Sequence, residues 1–178
     1  MNTMNMTLNP AMHRRPAPTR RHLLLTVLGL ATPLAWAAEP PAKGGPGGKQ
    51  ALPVVDVWKS PDCGCCKDWV RHLETHGFQV RTHDEGNQDA RVRLGMPVRY
   101  GSCHTAKVGD YVLEGHVPAR EVLRLLKDKP AGALGLSVPA MPIGSPGMDG
   151  PEYKGRKDPY DVLLVQRDGG ASVFQSYR

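Results

Sequence analysis

Val54-Val55-Asp56-Val57-Trp58-Lys59-Ser60-Pro61-Asp62-Cys63-Gly64-Cys65-Cys66-Lys67 sets three of the chain's four cysteines where one hydrophobic periodicity gives way to another. Val54 to Trp58 is short, β-branched and aromatic and is ended by Ser60-Pro61, so it reads as a buried strand. Beyond it, Cys66, Trp69, Val70 and Leu73 fall at i, i+3, i+4 and i+7, one face of a helix that stops at Gly77. The cysteines therefore sit on a strand-to-helix turn at the helix N-terminus. Unpaired backbone N–H groups and the positive end of the helix dipole favour thiolate over thiol there. Thiolate is the form that attacks disulfides and binds soft metals.

Upstream of the strand, arginine pairs precede an apolar run from Leu23 to Leu34, followed by Ala35-Trp36-Ala37, a small-x-small cleavage signal. Residues 1–37 read as a secretory signal peptide, too short in its apolar run for the roughly 20 residues of a spanning helix. No membrane insertion is expected after cleavage. Thr19-Arg20-Arg21-His22-Leu23-Leu24 resembles a twin-arginine export signal, and Sec export stays open beside it. Residues 38–51, mostly Pro, Gly and Lys, have almost nothing to bury and read as a disordered tether to a single domain over 52–178. The formal charge of +6 falls to +2 once the four leader arginines are set aside. No basic stripe with interleaved aromatics appears, so nucleic acid is not an expected partner. Export matters for the cysteines, because an oxidising compartment makes an even number of them candidate disulfides.

Downstream, Gln79 to His83 reads as a second strand, completing a βαβ unit around the cysteine turn. Asp89 to Leu94 is a short helix stopped by Gly95 and Pro97. Cys103 to Val108 and Tyr111 to His116 are two short strands around Gly109-Asp110, and Pro118 opens a helix that buries Val122, Leu123, Leu125 and Leu126. Asp149 to Pro159 reads as a surface loop, and Tyr160–Val165 and Ala171–Gln175 as a final β-hairpin around Asp168-Gly169-Gly170. No carboxylate pair, Ser-His-Asp set or phosphate-binding glycine loop is present, so general hydrolase or transferase chemistry has no support.

This order, with a cysteine pair after the first strand, resembles a thioredoxin-like domain: an α/β fold, a mixed sheet flanked by helices, here with an added C-terminal hairpin. Such folds place a loop against the cysteine turn just before their third strand, a place occupied here by Gly101-Ser102-Cys103-His104-Thr105. The resemblance implies that Cys103 faces Cys63, Cys65 and Cys66.

The chain past Leu52 is also similar to the CopG-like periplasmic copper-resistance proteins, a family once filed as a domain of unknown function. The similarity rests on Cys63-Gly64-Cys65-Cys66, Leu94-Gly95-Met96-Pro97, Ser102-Cys103-His104-Thr105, Glu114-Gly115-His116-Val117-Pro118 and Val138 to Met148, in the same order. Ala140 stands where the family's pattern places Gly. The resemblance implies a periplasmic protein with copper ions as its cargo. It implies Cys63, Cys65, Cys66 and Cys103 as the ligands, and other periplasmic copper-handling proteins as partners.

The residue types suit that chemistry. Cu(I) is soft and prefers thiolate or thioether, and several Cu(I) ions with bridging sulfurs would neutralise four converging thiolates. The expected form is a multinuclear cluster in a binding protein, with coupling to redox change of the copper or the cysteines left open. Adjacent Cys65 and Cys66 are cramped for one tetrahedral ion, and zinc sites favour C-x₂₋₄-C pairs. Two structural disulfides remain an alternative. So does a thiol–disulfide oxidoreductase in which Cys63 attacks and Cys66 resolves, since metal occupies only reduced cysteines. Met141 and Met148, in a Pro- and Gly-rich loop, are weaker candidates as thioether ligands, with packing as gap fillers the stronger expectation, as for Met96. His104, a weaker metal candidate, follows Cys103, so on a strand the two side chains point to opposite faces and it ligates only if the turn is irregular. His116 is expected to make a hydrogen bond beside the site rather than ligate. His72 and His76, at i and i+4 on the first helix, are expected on a solvated face.

Overall fold

Val55 to Lys59 pairs in parallel with Val80–His83 and antiparallel with His104–Val108, and these contacts seed a seven-stranded mixed sheet. The computed structural model describes residues 51–178; the expected signal peptide and all but the last residue of the expected tether lie outside them. The strands are β1 (Val55–Lys59), β2 (Val80–His83), β3 (His104–Val108), β4 (Tyr111–Glu114), β5 (Ala133–Ser137), β6 (Tyr160–Gln166) and β7 (Ala171–Tyr177), in the order β2-β1-β3-β4-β5-β6-β7. The helices are α1 (Gly64–Thr75), α2 (Gln88–Arg93) and α3 (Ala119–Asp128). The expected α/β class and the C-terminal hairpin, joined to the sheet edge as β6 and β7, are both present. Among the described residues no helix is long and apolar enough to cross a membrane.

The main core lies between one sheet face and the two longer helices. Val55, Val57, Ala106, Val108, Leu113 and Leu136 meet Trp69, Val70 and Leu73 of α1 and Val122 and Leu125 of α3. A smaller cluster of Met96, Val112, Leu134 and Val165 includes the other side of β4. Met96 is thus a buried filler, as expected. Pro118 is the N-cap of α3 rather than part of its first turn, and Leu123 and Leu126 only border the core.

One strand escaped the sequence pattern. β5, Ala-Leu-Gly-Leu-Ser, carries no β-branched residue, yet every position is buried. Gly135 is required there, because a Cβ would overlap the backbone of Val112 on the neighbouring strand.

The register gathers the site. Lys59 at the end of β1 pairs with His104 at the start of β3, and Thr105 pairs with Glu114 at the end of β4. β4 and β5 are parallel, so Ser137 ends at the same edge, with Val138 N–H donating to the Glu114 carbonyl. The turn after β1, the segment before β3, Gly115-His116 and the loop after β5 therefore meet at one end of the sheet. In open α/β sheets, ligands gather beyond the carboxyl ends of parallel strands.

Candidate metal centre

Cys63 is the N-cap of α1 in an extended conformation, and Gly64, Cys65 and Cys66 form the first helical turn. Cys63 and Cys66 are joined by a disulfide, while Cys65 and Cys103 are free and half-buried. The Cys63 and Cys65 sulfurs lie 3.6 Å apart, and the fully buried Cys66 sulfur approaches the Cys103 carbonyl at 3.8 Å. All four Sγ atoms fall within 4.8 Å of one another. The structure thus brings together the four cysteines that the sequence named, although Cys103 is 37 residues beyond Cys66.

A second set overlaps the first through Cys103. Its sulfur lies 3.1 Å from His116 Nε2 and 3.4 Å from His104 Nδ1, and the three ligand atoms cluster within 4.8 Å. His116 Nδ1–H donates to the carbonyl of Pro146 at 2.7 Å, because a carbonyl can only accept. Its Nε2 lone pair therefore faces Cys103. Burial holds His116 below the usual imidazole pKa, and holds the completely buried His104 well below it, with the nearby His116 adding to the depression. Both rings are neutral at pH 7, the form that ligates metals. His104 Nε2 has no hydrogen-bond partner, an arrangement that costs about 1–3 kcal/mol when buried.

For His104, the irregular-turn alternative is the one that holds, because of where β3 begins. Cys103 precedes the strand, so period-two alternation does not apply to the pair, and the His104 ring packs beside Cys103 against Trp69, 4.2 Å between centroids. The expectation for His72 is corrected: its Nε2 accepts the Ala119 N–H at 3.0 Å at the start of α3, while His76 is exposed. The expected thiolate character does not extend to Cys103. Burial first, and the neighbouring Cys65 second, push its thiol up to about 12. Before any metal binds, Cys103 is a thiol whose proton points to His116, and a metal must displace that proton.

The loop after β5 closes the site from above. Gly147 adopts φ +84, and a Cβ there would lie 2.5 Å from the Cys65 carbonyl and 2.8 Å from Trp69 N, so only glycine permits this approach. Ala140 occupies the left-handed region at φ +59, which explains why a glycine suits that position. It is tied to the Cys103 segment on both sides: its N–H donates to Gly101 O at 3.3 Å, and Ser102 Oγ–H donates to its carbonyl. Met148 Sδ accepts from Tyr153 OH at 3.4 Å, whereas Met141 is exposed on an outer groove with Pro139 and Tyr160.

Sequence reasoning missed the groups that hold Cys103 from outside the site: Asn87, Arg91, Glu114 and Pro146. Only Glu114 left a signal, a carboxylate ending the otherwise apolar strand Tyr111–Glu114. The donor set, four soft sulfurs with two neutral imidazoles on one of them, fits a soft metal ion.

Two solved structures described as "Copper resistance protein copG", Form 2 and Form 1, each match with 44% sequence identity and a TM-score of 0.64. The matches cover 71% of this chain and 99% and 98% of theirs, respectively. A family profile described as "Protein of unknown function, DUF411" matches residues 100–148, which takes in Cys103, both histidines and the closing loop but not the cysteine turn. No curated protein matches the chain.

Proposed function

Because the chain belongs to the CopG-like copper-resistance family, we propose that it holds Cu(I) as cargo on Cys63, Cys65, Cys66 and Cys103 in periplasmic copper homeostasis or resistance. The observation that carries this reading is the convergence of four sulfurs within 4.8 Å on two unrelated segments. Adjacent cysteines on one helical turn suit bridging sulfurs shared by several Cu(I) ions better than one tetrahedral ion. Copper enters after the Cys63–Cys66 bond is reduced, since a disulfide offers no thiolate. His116 and His104 stand beside Cys103, ready to accept its proton or take a place on the metal. Met148 and Met141 contribute at most a cover, given the bond from Tyr153 to one and the exposure of the other.

The parallel β1-α1-β2 unit followed by antiparallel β3 and β4 supports the thioredoxin-like reading. In this reading residues 1–37 direct export by the Sec or twin-arginine route, residues 38–51 tether the domain, and other periplasmic copper-handling proteins exchange metal with it. The second reading, thiol–disulfide exchange with Cys63 attacking and Cys66 resolving, is favoured by one observation: those two cysteines are the bonded pair.

Cys103→Ser separates the two. Copper bound per chain, measured by metal analysis of the reduced and reloaded variant, falls sharply if the four-cysteine site is right. A variant with the wild-type copper content and full exchange activity would leave the Cys63/Cys66 reading in its place.

A further inference from the structure

The Ser102 backbone just before Cys103 is held at both its N–H and its carbonyl by a buried carboxylate on β4 and two part-buried side chains at the start and on the body of α2. Its N–H donates to Glu114 Oε1 at 2.7 Å, and its carbonyl accepts from Arg91 Nη2 at 2.5 Å and Asn87 Nδ2 at 3.2 Å. Arg91 in turn forks onto the same carboxylate oxygen through Nε at 3.0 Å and Nη2 at 2.8 Å. The other oxygen, Oε2, accepts from Thr105 Oγ1 at 2.6 Å, on the far side of Cys103. Glu114 is completely buried, and the Arg91 side chain is 12% exposed.

A buried ion pair of this kind is weak evidence for stability, since apolar residues of similar volume commonly do as well. What distinguishes this pair is its aim. The hydrogen bonds it makes beyond itself fall on Ser102 and Thr105, which flank the Cys103-His104 step, and none falls on the cysteine itself. Copper-binding sulfurs on Cys63, Cys65 and Cys66 are placed by their own helical turn, but Cys103 lies outside β3 and has no regular element to fix it. A ligand held on such a segment needs its support from neighbours.

We infer that Arg91 and Glu114 are positioning residues that set Cys103 opposite the cysteine turn by clamping the Ser102 backbone at its N–H and its carbonyl, an inference that rests on the four-cysteine copper reading. The clamp supplies the fourth sulfur already in place. Without it, Cys103 swings toward the groove of about 330 Å³ lined by Ser60, Asn87 and Asp89 through which it meets solvent.

The test uses Arg91→Met/Glu114→Gln, which removes both charges together and leaves no unpaired buried ion. In the metal-free protein with the Cys63–Cys66 bond intact, alkylation by iodoacetamide is followed at each free cysteine by peptide mass spectrometry. Cys103 labelling is expected to rise about tenfold while Cys65 labelling stays within about twofold. Copper per chain in the reduced variant is expected to fall to the Cys103→Ser level. A folded variant with wild-type labelling and wild-type copper overturns the inference.

Should the double variant fail to fold, Arg91→Lys decides, because it keeps the charge but cannot fork across Glu114 and Ser102. A lower melting temperature with unchanged Cys103 labelling would make the pair structural only. Labelling does not depend on copper. If Cys103→Ser retains full copper, the four-cysteine reading fails and labelling still judges the clamp. If labelling is unchanged while Cys103→Ser loses copper, the clamp fails alone.

Discussion

Three of the site's sulfurs ride on a single turn, Cys63 to Cys66 at the start of α1, whereas the fourth, Cys103, stands on an irregular segment before β3. The turn is built locally. Its geometry follows from an extended N-cap and one helical turn, and Trp69 secures it by donating from Nε1 to the Val117 carbonyl at 2.8 Å. The facing segment is built at a distance, from the β1–β3 register, the Arg91–Glu114 pair, His116 and the loop that presses Gly147 onto Cys65. Sulfurs close in sequence can be organised by backbone alone. A sulfur that must cross the site depends on packing from several elements, so damage to the two sides should look different.

The sharpest way to separate the sides is His116→Ala, which removes the ring beside Cys103 and its bond to the Pro146 carbonyl while leaving the three sulfurs of the turn in place. Losing the ring beside Cys103 is expected to lower Cu(I) affinity by about 10–100-fold in chelator competition, with the Cys63–Cys66 bond forming normally. An unchanged affinity would show that Cys103 needs no help from this ring. Cavity formation is expected to cost about 2 kcal/mol in urea unfolding as well.

A smaller effect comes from pH. Burial depresses the folded pKa of His72, His104 and His116 below 6.5, so below that value the unfolded chain takes up protons that the folded chain refuses. Stability is therefore fully present above about pH 6.5 and is lost as pH falls from there toward the folded values. Glu114, raised by its burial, opposes this in part. The unfolding free energy of the metal-free protein, read from urea titrations, should decline by about 1 kcal/mol between pH 7 and 5.5, and His116→Ala should flatten that slope. A flat profile in the wild type would mean the histidines are not kept neutral.

The smallest effect is Ala140→Gly. Relief of a left-handed alanine, worth about 1–2 kcal/mol, is offset by the greater backbone entropy of glycine, leaving a gain of about 0.5 kcal/mol. A differential melting temperature of the metal-free pair reads it, and a loss of stability would show that Ala140 sits without strain.

How much was legible divides along the same line. The cysteine turn, α1 and the first two strands could be read within one or two residues, because each is declared by local periodicity ending in Pro or Gly. The C-terminal hairpin was legible for the same reason. Cys103's meeting with the turn came only through resemblance, since antiparallel register between β1 and β3 leaves no mark in either strand. β5 was invisible: its Ala, Gly and Ser are dictated by close approach to β4, not by strand propensity. For His104, strand alternation pointed away from Cys103, but that cysteine lies just outside the strand, and the irregular turn left open for the pair is the one the chain forms. Arg91 and Glu114 sit 23 residues apart with nothing local to pair them.

The central claim is that four sulfurs act as one copper site. The direct measurement is copper and zinc per chain on protein isolated from the periplasm and kept reduced, with a free-thiol count on the same sample. The account predicts more than one copper per chain and thiols protected until the metal is removed. Protein without metal, in which two thiols appear only after reductant is added, would contradict it and make Cys63/Cys66 exchange the primary chemistry.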